Sequence, residues 1–272
     1  MIDTIKSVLS AKIAVIFFVL FTLWFCYFHI PGVEAQLHYD WFTVTYGVMA
    51  AFGAGWGFVI ARKWGWIHSL MGKSIALFSL GLALQEFGQI GYTYYIYYLH
   101  VDVPYPSWGD IGFYGSIPCY TLAVWYMAKA GGIHISLRSF ASKMQAIAIP
   151  TAMLLLSYFF FLRGYEFDWS HPLTVFLDIG VPIGQAVYIS LAILTYTLTR
   201  GTLGGIMRTK VLFILFALLV QYISDWTFLY QASRGTWAVS GINDYMFFVS
   251  YFLMAFGLFQ FDVIYQKLKG AN

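Results

Sequence analysis

The sequence is a succession of eight apolar runs, each long enough to cross a lipid bilayer. A helix needs about 20 apolar residues to span the roughly 30 Å hydrocarbon layer, and the segments between the runs are too short for a soluble domain. The pattern therefore predicts an all-α integral membrane protein, with residues 1–272 forming a single transmembrane domain. The eight predicted transmembrane helices are 12–30, 41–61, 74–98, 109–129, 146–163, 173–199, 209–231 and 243–265.

The composition excludes several classes of protein. Charged residues make up 10% of the chain and hydrophobic residues 60%, whereas soluble domains carry about 25% and about 45–50%. Membrane lipid is therefore the expected surrounding, and a soluble enzyme or a nucleic-acid-binding protein is not expected. Cys26 and Cys119 lie within apolar runs, which favours buried free thiols over a disulfide framework or a zinc site.

Lysine and arginine are divided unevenly between the two sides of the predicted bundle. If the N-terminus lies inside, every basic residue except Arg163 and Arg234 falls in an inner segment. Basic residues concentrate in the cytoplasmic loops of membrane proteins. We therefore predict a multi-pass protein of the bacterial inner membrane with both termini in the cytoplasm.

The two halves of the chain resemble each other. Residues 84–89, Leu-Gln-Glu-Phe-Gly-Gln, match residues 220–225, Val-Gln-Tyr-Ile-Ser-Asp, and residues 108–114 match 242–248. Corresponding positions are offset by 138, 136 and 134 residues at three places along the chain. Such similar offsets favour duplication over chance similarity between apolar helices. We predict two parallel four-helix repeats, repeat A over about 1–140 and repeat B over about 141–272.

Polar side chains inside the predicted helices form the candidate site. Ionisable groups are costly in hydrocarbon, so they are expected to face the bundle interior or a wet cavity. Helix capping and interhelical hydrogen bonds explain such residues as well as ligand contact does, above all for Asp110 and Asp244, which begin two helices. The functional alternative is an outer-side polar and aromatic pocket for a small or lipidic ligand, lined by Gln85, Glu86, Gln89, Tyr92, Asp110, Tyr114, Gln221, Asp225, Trp226, Asp244 and Tyr245.

One stretch of the chain resembles a known class of module. Gly88-Gln89 followed by Pro106-Ser107-Trp108-Gly109-Asp110 is similar to the membrane sensor modules found in front of diguanylate cyclase, phosphodiesterase and histidine kinase domains. Ser224-Asp225 and Asn243-Asp244 resemble their later elements. Gly109 stands where those modules have alanine. The resemblance implies a ligand-binding sensor that signals through a cytoplasmic or membrane partner, since no output domain follows Lys269.

The sequence is also compatible with two alternative functions. Ser224-Asp225 together with Asp110 also resembles the lysoplasmalogenase-like membrane proteins, which have eight helices. That resemblance implies an intramembrane lipid hydrolase with Glu86, Asp110 and Asp225 as general acid and base candidates. A small transporter built on a parallel repeat is the second alternative. We expect binding rather than catalysis, without a cofactor or metal ion, and a homodimer stays open.

Overall fold

The computed structural model describes residues 2–33, 36–131, 139–199 and 205–270. All regular secondary structure in these residues is helical, which confirms the predicted all-α class. The α-helices are α1 (Ile2–Ser7), α2 (Leu9–Phe28), α3 (Gln36–Thr45), α4 (Val48–Lys63), α5 (Leu70–Thr93), α6 (Trp108–Ala130), α7 (Phe140–Ser157), α8 (Pro172–Thr199), α9 (Gly205–Ser233) and α10 (Ile242–Gly270).

Six segments of the described chain are long and apolar enough to cross a membrane, which marks the protein as membrane-embedded. They are Leu9–Phe28, His38–Lys63, Phe140–Leu162, Pro172–Leu198, Thr209–Ala232 and Ile242–Gly270. The helices α5 and α6 have the length of a span, at 24 and 23 residues, but they are less apolar. Short π-helical turns, Tyr94–Tyr98 and Tyr158–Leu162, extend α5 and α7.

The second predicted helix is interrupted, which corrects the continuous segment 41–61. The helix α3 ends at Thr45 and α4 begins at Val48, so a turn at Tyr46 and Gly47 separates them. A Cβ atom at Gly47 would lie 2.0 Å from Glu86 Oε2 of α5. Because glycine has no Cβ atom, the Glu86 carboxylate can lie against the backbone at Gly47. The low helix propensity of glycine also favours an interruption of the helix at this residue.

The helices α5 and α6 approach each other at backbone distance. A Cβ atom at Gly112 would lie 2.4 Å from the Leu84 carbonyl oxygen and 2.6 Å from Gly88 N. One at Gly91 would lie 2.8 Å from Gly109 Cα. Small residues permit such close packing between helices in membranes. The Gly88-Gln89 and Gly109-Asp110 motifs thus form one interface, from which Gln89 and Asp110 project.

The helix α10 lies at the centre of the bundle and packs against α2, α4 and α9. In α4, a Cβ atom at Gly53 would lie 2.6 Å from Ala255 Cβ, and one at Gly57 would lie 2.9 Å from Leu258 Cδ1, whereas Gly55 has open space. Two of these three glycines therefore serve close helix packing. By contrast, α7 packs mainly on α8 and leaves most of its apolar surface exposed.

Hydrogen bonds define the two ends of the bundle. At the upper end, the connections 99–107 and 163–171 are joined through Asp178, and Ser240 Oγ donates to the Tyr39 carbonyl at 2.6 Å. At the lower end, Lys63 Nζ and Asp262 Oδ1 form an ion pair of 2.7 Å. Because α3 and α4 meet α10 near its beginning at the upper end and near its end at the lower end, α4 and α10 run in the same direction.

The two cysteines are free thiols, as predicted. Cys26 is exposed on α2 and Cys119 is half-buried on α6, so the expectation that both are buried is wrong. An exposed apolar-run residue faces lipid in a membrane protein, where a thiol is tolerated.

Candidate functional site

A cavity of about 1380 Å³ lies at the upper end, between α5, α6, α8, α9 and α10. Its rim is formed by the connections 99–107 and 234–241 together with Tyr165. From there it reaches inward to polar residues on the helices. These are Gln85 of α5, Ser116 of α6, Gln185 of α8 and Asp225 of α9.

Each helix presents one face to the cavity. On α5 and the π-helical turn that extends it, the lining residues Gln85, Gln89, Tyr92 and Ile96 follow the spacing of three and four that places helical residues on one side, and Thr93 lies beside them. At 1.5 Å per residue, the 11 positions from Gln85 to Ile96 span roughly 16 Å along the axis. The cavity therefore extends deep into the bundle. Apolar walls separate the rim from the floor: Phe113, Ile117, Val181, Phe228 and Phe247.

The structure brings part of the predicted site together. Gln85, Gln89, Tyr92, Asp110, Asp225 and Asp244 all line the cavity. The remaining predicted residues lie outside its lining: Glu86, Tyr114, Gln221, Trp226 and Tyr245.

The predicted residues outside the cavity have other contacts. The Glu86 carboxylate points at Gly47, and its buried Oε2 has no hydrogen-bond partner in the described residues. Tyr245 donates to Thr22 Oγ1 at 3.1 Å. The aromatic rings of Tyr114 and Trp226 pack against neighbouring helices. Their partners are Phe176 for Tyr114, and Phe160 and Phe161 for Trp226.

Asp110 caps α6. Its Oδ2 accepts from Ser107 N at 2.6 Å and from Ser107 Oγ at 2.9 Å, and its Oδ1 accepts from the Tyr92 hydroxyl at 2.9 Å. A carboxylate in the first turn satisfies N–H groups that the helix leaves free and is favoured by the helix dipole. Capping therefore accounts for Asp110 without a ligand.

Asp244 occupies the matching place at the start of α10. Its Oδ2 accepts from Ser240 N at 2.7 Å and from Thr43 Oγ1 at 3.3 Å. The hydroxyls of Thr43 and Ser240 are themselves 2.7 Å apart. The carboxylate thus joins the beginning of α10 to α3, and capping explains it as well.

Asp225 is different, because it lies inside α9 rather than at an end. Its Oδ1 accepts from Gln221 Nε2 at 2.9 Å, and its Oδ2 accepts from the Tyr188 hydroxyl at 3.3 Å. Gln221 is held in turn by the Ser250 hydroxyl, which donates to Gln221 Oε1. Gln221 therefore orients the carboxylate from behind. All of these donors are neutral, and the carboxylate borders the cavity.

The glutamines of α5 are fixed by hydrogen bonds across the bundle. Gln85 donates to Ser116 Oγ at 2.8 Å and accepts from the Tyr251 hydroxyl at 3.2 Å. Gln89 accepts from the Tyr46 hydroxyl at 2.8 Å. Because these hydrogen bonds fix both amide side chains, Gln85 and Gln89 form a rigid polar part of the floor and side wall of the cavity.

Sequence reasoning missed Gln185. This side chain of α8 is 5% exposed and lines the cavity, yet it makes no hydrogen bond with any described residue. The lining residues Asp178, Val181 and Gln185 recur at the spacing of one helix face. The same spacing rule that selected Gln85 and Gln89 would have selected Gln185 from Asp178.

Two tyrosines close part of the rim. The hydroxyls of Tyr105 and Tyr165 donate to Asp178 at 2.6 and 2.7 Å. The bond to Asp178 raises the pKa of Tyr165 to about 12, and burial together with its own bond to Asp178 raises the pKa of Tyr105. Both phenols therefore stay protonated at neutral pH and hold the two connections against α8.

Comparison with known proteins gives no family for the chain. No protein-family model matches it, and no curated protein or solved structure is similar enough to count as a match. The described residues also contain no group of three or more His, Cys, Asp or Glu side chains placed to hold a metal ion. Together, the fold and the site define a helical membrane protein with a deep cavity that has apolar walls and buried polar groups.

Proposed function

We propose that this protein is a receptor-like membrane module that binds a small or lipidic ligand in the cavity. The observation that carries the proposal is a cavity of about 1380 Å³ whose apolar walls enclose buried carboxylates and amides. Ligand sites are usually apolar clefts of about 300–1,000 Å³ with a few convergent polar groups. The volume accommodates a small molecule or part of a lipid.

We infer that all eight long helices span the membrane. The helix α5 packs between α4 and α6, and α6 packs between α5 and α8. Helices enclosed in this way bury their polar residues, such as Gln85 at 2% exposure. Their lower hydropathy is therefore compatible with a spanning position.

The upper end is proposed to face outward. Several lysines on the long helices belong to the lower end, among them Lys63, Lys73, Lys129 and Lys267. Arg163 and Arg234 belong to the upper end. By the positive-inside rule, this distribution supports the proposal that the lower end and both termini lie in the cytoplasm of a bacterial cell. Two arginines counted in the charge pattern, Arg138 and Arg200, lie outside the described residues.

The proposed duplication gains support from side-chain contacts at the predicted offsets. Gln85 of α5 is hydrogen-bonded to Ser116 of α6, and Gln221 of α9 is hydrogen-bonded to Ser250 of α10. The two glutamines are 136 positions apart and the two serines 134 positions apart. These are the offsets of the sequence match.

A second pair of contacts follows the same offsets. Gly109 packs at the Gly88 carbonyl, where a Cβ atom would lie 3.0 Å from the oxygen. In the other half, Asn243 Nδ2 donates to the Ser224 carbonyl at 2.9 Å. One repeat thus uses a glycine contact where the other uses an amide hydrogen bond.

The alternative functions receive less support. For a lipid hydrolase, Asp110 is committed to capping and Glu86 lies away from the cavity, so no acid and base pair with Asp225 is assembled from the predicted candidates. For a transporter, the prolines that lie inside the long helices are not related by the repeat offsets. They are Pro118, Pro150 and Pro182. Transfer of a signal to a cytoplasmic or membrane partner remains part of the proposal and rests on the resemblance to sensor modules.

Native mass spectrometry of the gently purified protein tests the proposal. We expect one defined small molecule or lipid at stoichiometric occupancy. The substitution Val181→Trp fills the cavity from α8 and should remove this molecule. The control Ile183→Trp places the same side chain two residues away, where Ile183 is exposed on the outer face of α8, and should retain it. A bare wild-type protein, or one carrying only mixed bulk lipid, would contradict the proposal.

A further inference from the structure

The charges around the cavity are of one sign. Among the described residues that line it there is no lysine or arginine, and His100 is the one basic side chain. Arg163 and Arg234 lie near the upper end but are exposed and do not line it. The lining does contain five carboxylates: Asp102, Asp110, Asp178, Asp225 and Asp244.

These carboxylates lack cationic partners in the described part of the chain. The ion pair found there joins Lys63 to Asp262 at the lower end. Asp178 and Asp225 instead accept hydrogen bonds from tyrosine hydroxyls and from the Gln221 amide. Neutral donors orient a carboxylate but do not neutralise it, so the cavity favours a positive ligand.

A free hydrogen-bonding group lies near the deepest of these carboxylates. Gln185 borders the cavity and is 5% exposed as a residue, and its amide has no described hydrogen-bond partner. Gln185 is three residues before Tyr188 on α8, and Tyr188 donates to Asp225. The Gln185 amide atoms are open to the cavity and are not enclosed by protein. The amide is therefore positioned to meet a ligand beside Asp225.

Aromatic rings form much of the wall. Tyr92, Phe113, Phe228, Phe247 and Tyr251 line the cavity between its rim and floor. Aromatic faces attract ammonium groups, most strongly where water is excluded. An anionic or phosphate-bearing ligand would find no lysine or arginine to bind it.

We propose that the ligand is an organic cation, an ammonium group carried on an apolar or aromatic body, with its charge against Asp225 and the Gln185 amide beside it. This inference rests on the proposed function and names the ligand class of the same cavity. The apolar walls hold the body of the ligand, and the floor selects its charge.

A matched set of three ligands tests the charge preference. Benzyltrimethylammonium is the cation, neopentylbenzene is its neutral isostere, and phenylmethanesulfonate is the anion. Binding to the full-length protein in nanodiscs is measured by equilibrium dialysis and counted as the excess over the cavity-filled Val181→Trp variant. We expect the cation to bind at least tenfold more tightly than either analogue.

Two substitutions locate the preference. Asp225→Asn keeps the side-chain volume and should weaken binding of the cation about tenfold while leaving the neutral isostere unchanged. Gln185→Glu adds a carboxylate without removing a native hydrogen bond and should strengthen cation binding several-fold. The second variant gives an answer even if the first fails to fold.

The outcomes separate the two proposals. Equal or tighter binding of the neutral or anionic analogue, or an unchanged preference in Gln185→Glu, overturns the cation inference and leaves the receptor proposal standing. Failure of all three ligands to bind overturns the cation inference. If the wild-type protein also carries no defined molecule in native mass spectrometry, the receptor proposal fails with it.

Discussion

Replacement of Gly112 by alanine is expected to lower the free energy of unfolding by about 3 kcal/mol. The new Cβ atom would lie 2.4 Å from the Leu84 carbonyl oxygen and 2.6 Å from Gly88 N. Both are backbone atoms of α5, so relief requires α5 and α6 to separate rather than one side chain to rotate. Thermal unfolding in detergent, or unfolding by denaturing detergent, measures the change.

Gly115→Ala is the matched control on the same helix. A Cβ atom there would lie 3.4 Å from Leu84 Cδ1, an ordinary van der Waals distance. Alanine is the better helix former by about 1 kcal/mol, so this variant should be as stable as the wild type or slightly more stable. Equal stability of Gly112→Ala and Gly115→Ala would mean that α5 and α6 are not in backbone contact.

The second large effect is expected for Asp110→Ala, which should lower the free energy of unfolding by about 3 kcal/mol but leave ligand occupancy intact. The substitution removes three accepted hydrogen bonds and strands Ser107 N and the Tyr92 hydroxyl. Thermal unfolding gives the stability, and native mass spectrometry at low temperature gives the occupancy.

Asp102→Ala serves as the control for Asp110→Ala. Asp102 also lines the cavity, but it is exposed in the connection 99–107 and caps no helix. This variant should unfold at the wild-type temperature. If Asp110→Ala lost the ligand at unchanged stability, Asp110 would be a ligand contact and not a cap.

The positions of the helices followed from the sequence because length and apolar composition determine which segments can span a bilayer. The interruption between α3 and α4 could not be predicted from the sequence, since a glycine such as Gly47 within an apolar run is compatible with a continuous helix. It becomes special only because the Glu86 carboxylate of another helix lies beside it. That contact is 39 positions away in sequence and depends on how the two helices are rotated.

Only part of the cavity lining was predicted, because the sequence does not determine how each helix is rotated against its neighbours. Helical spacing correctly grouped Gln85 with Gln89, and Gln221 with Asp225, as pairs on one helix face. It did not distinguish Gln221, which lies behind Asp225, from the carboxylate that borders the cavity. Nor did it determine whether Tyr245 faces the cavity or Thr22 of α2. Those choices depend on packing between helices.

A cavity that opens to the outside, held by a bundle embedded in the membrane, underlies the proposed function. Substituted-cysteine labelling tests it most directly, with Cys26 and Cys119 first replaced by alanine and Gln185→Cys introduced at the cavity floor. In spheroplasts, a membrane-impermeant trimethylammonium methanethiosulfonate is expected to modify this cysteine from the outside, and the Val181→Trp variant should slow the reaction. Ile183→Cys, which faces lipid, should not react. Modification of Gln185→Cys only after the membrane is opened, or not at all, would contradict the account.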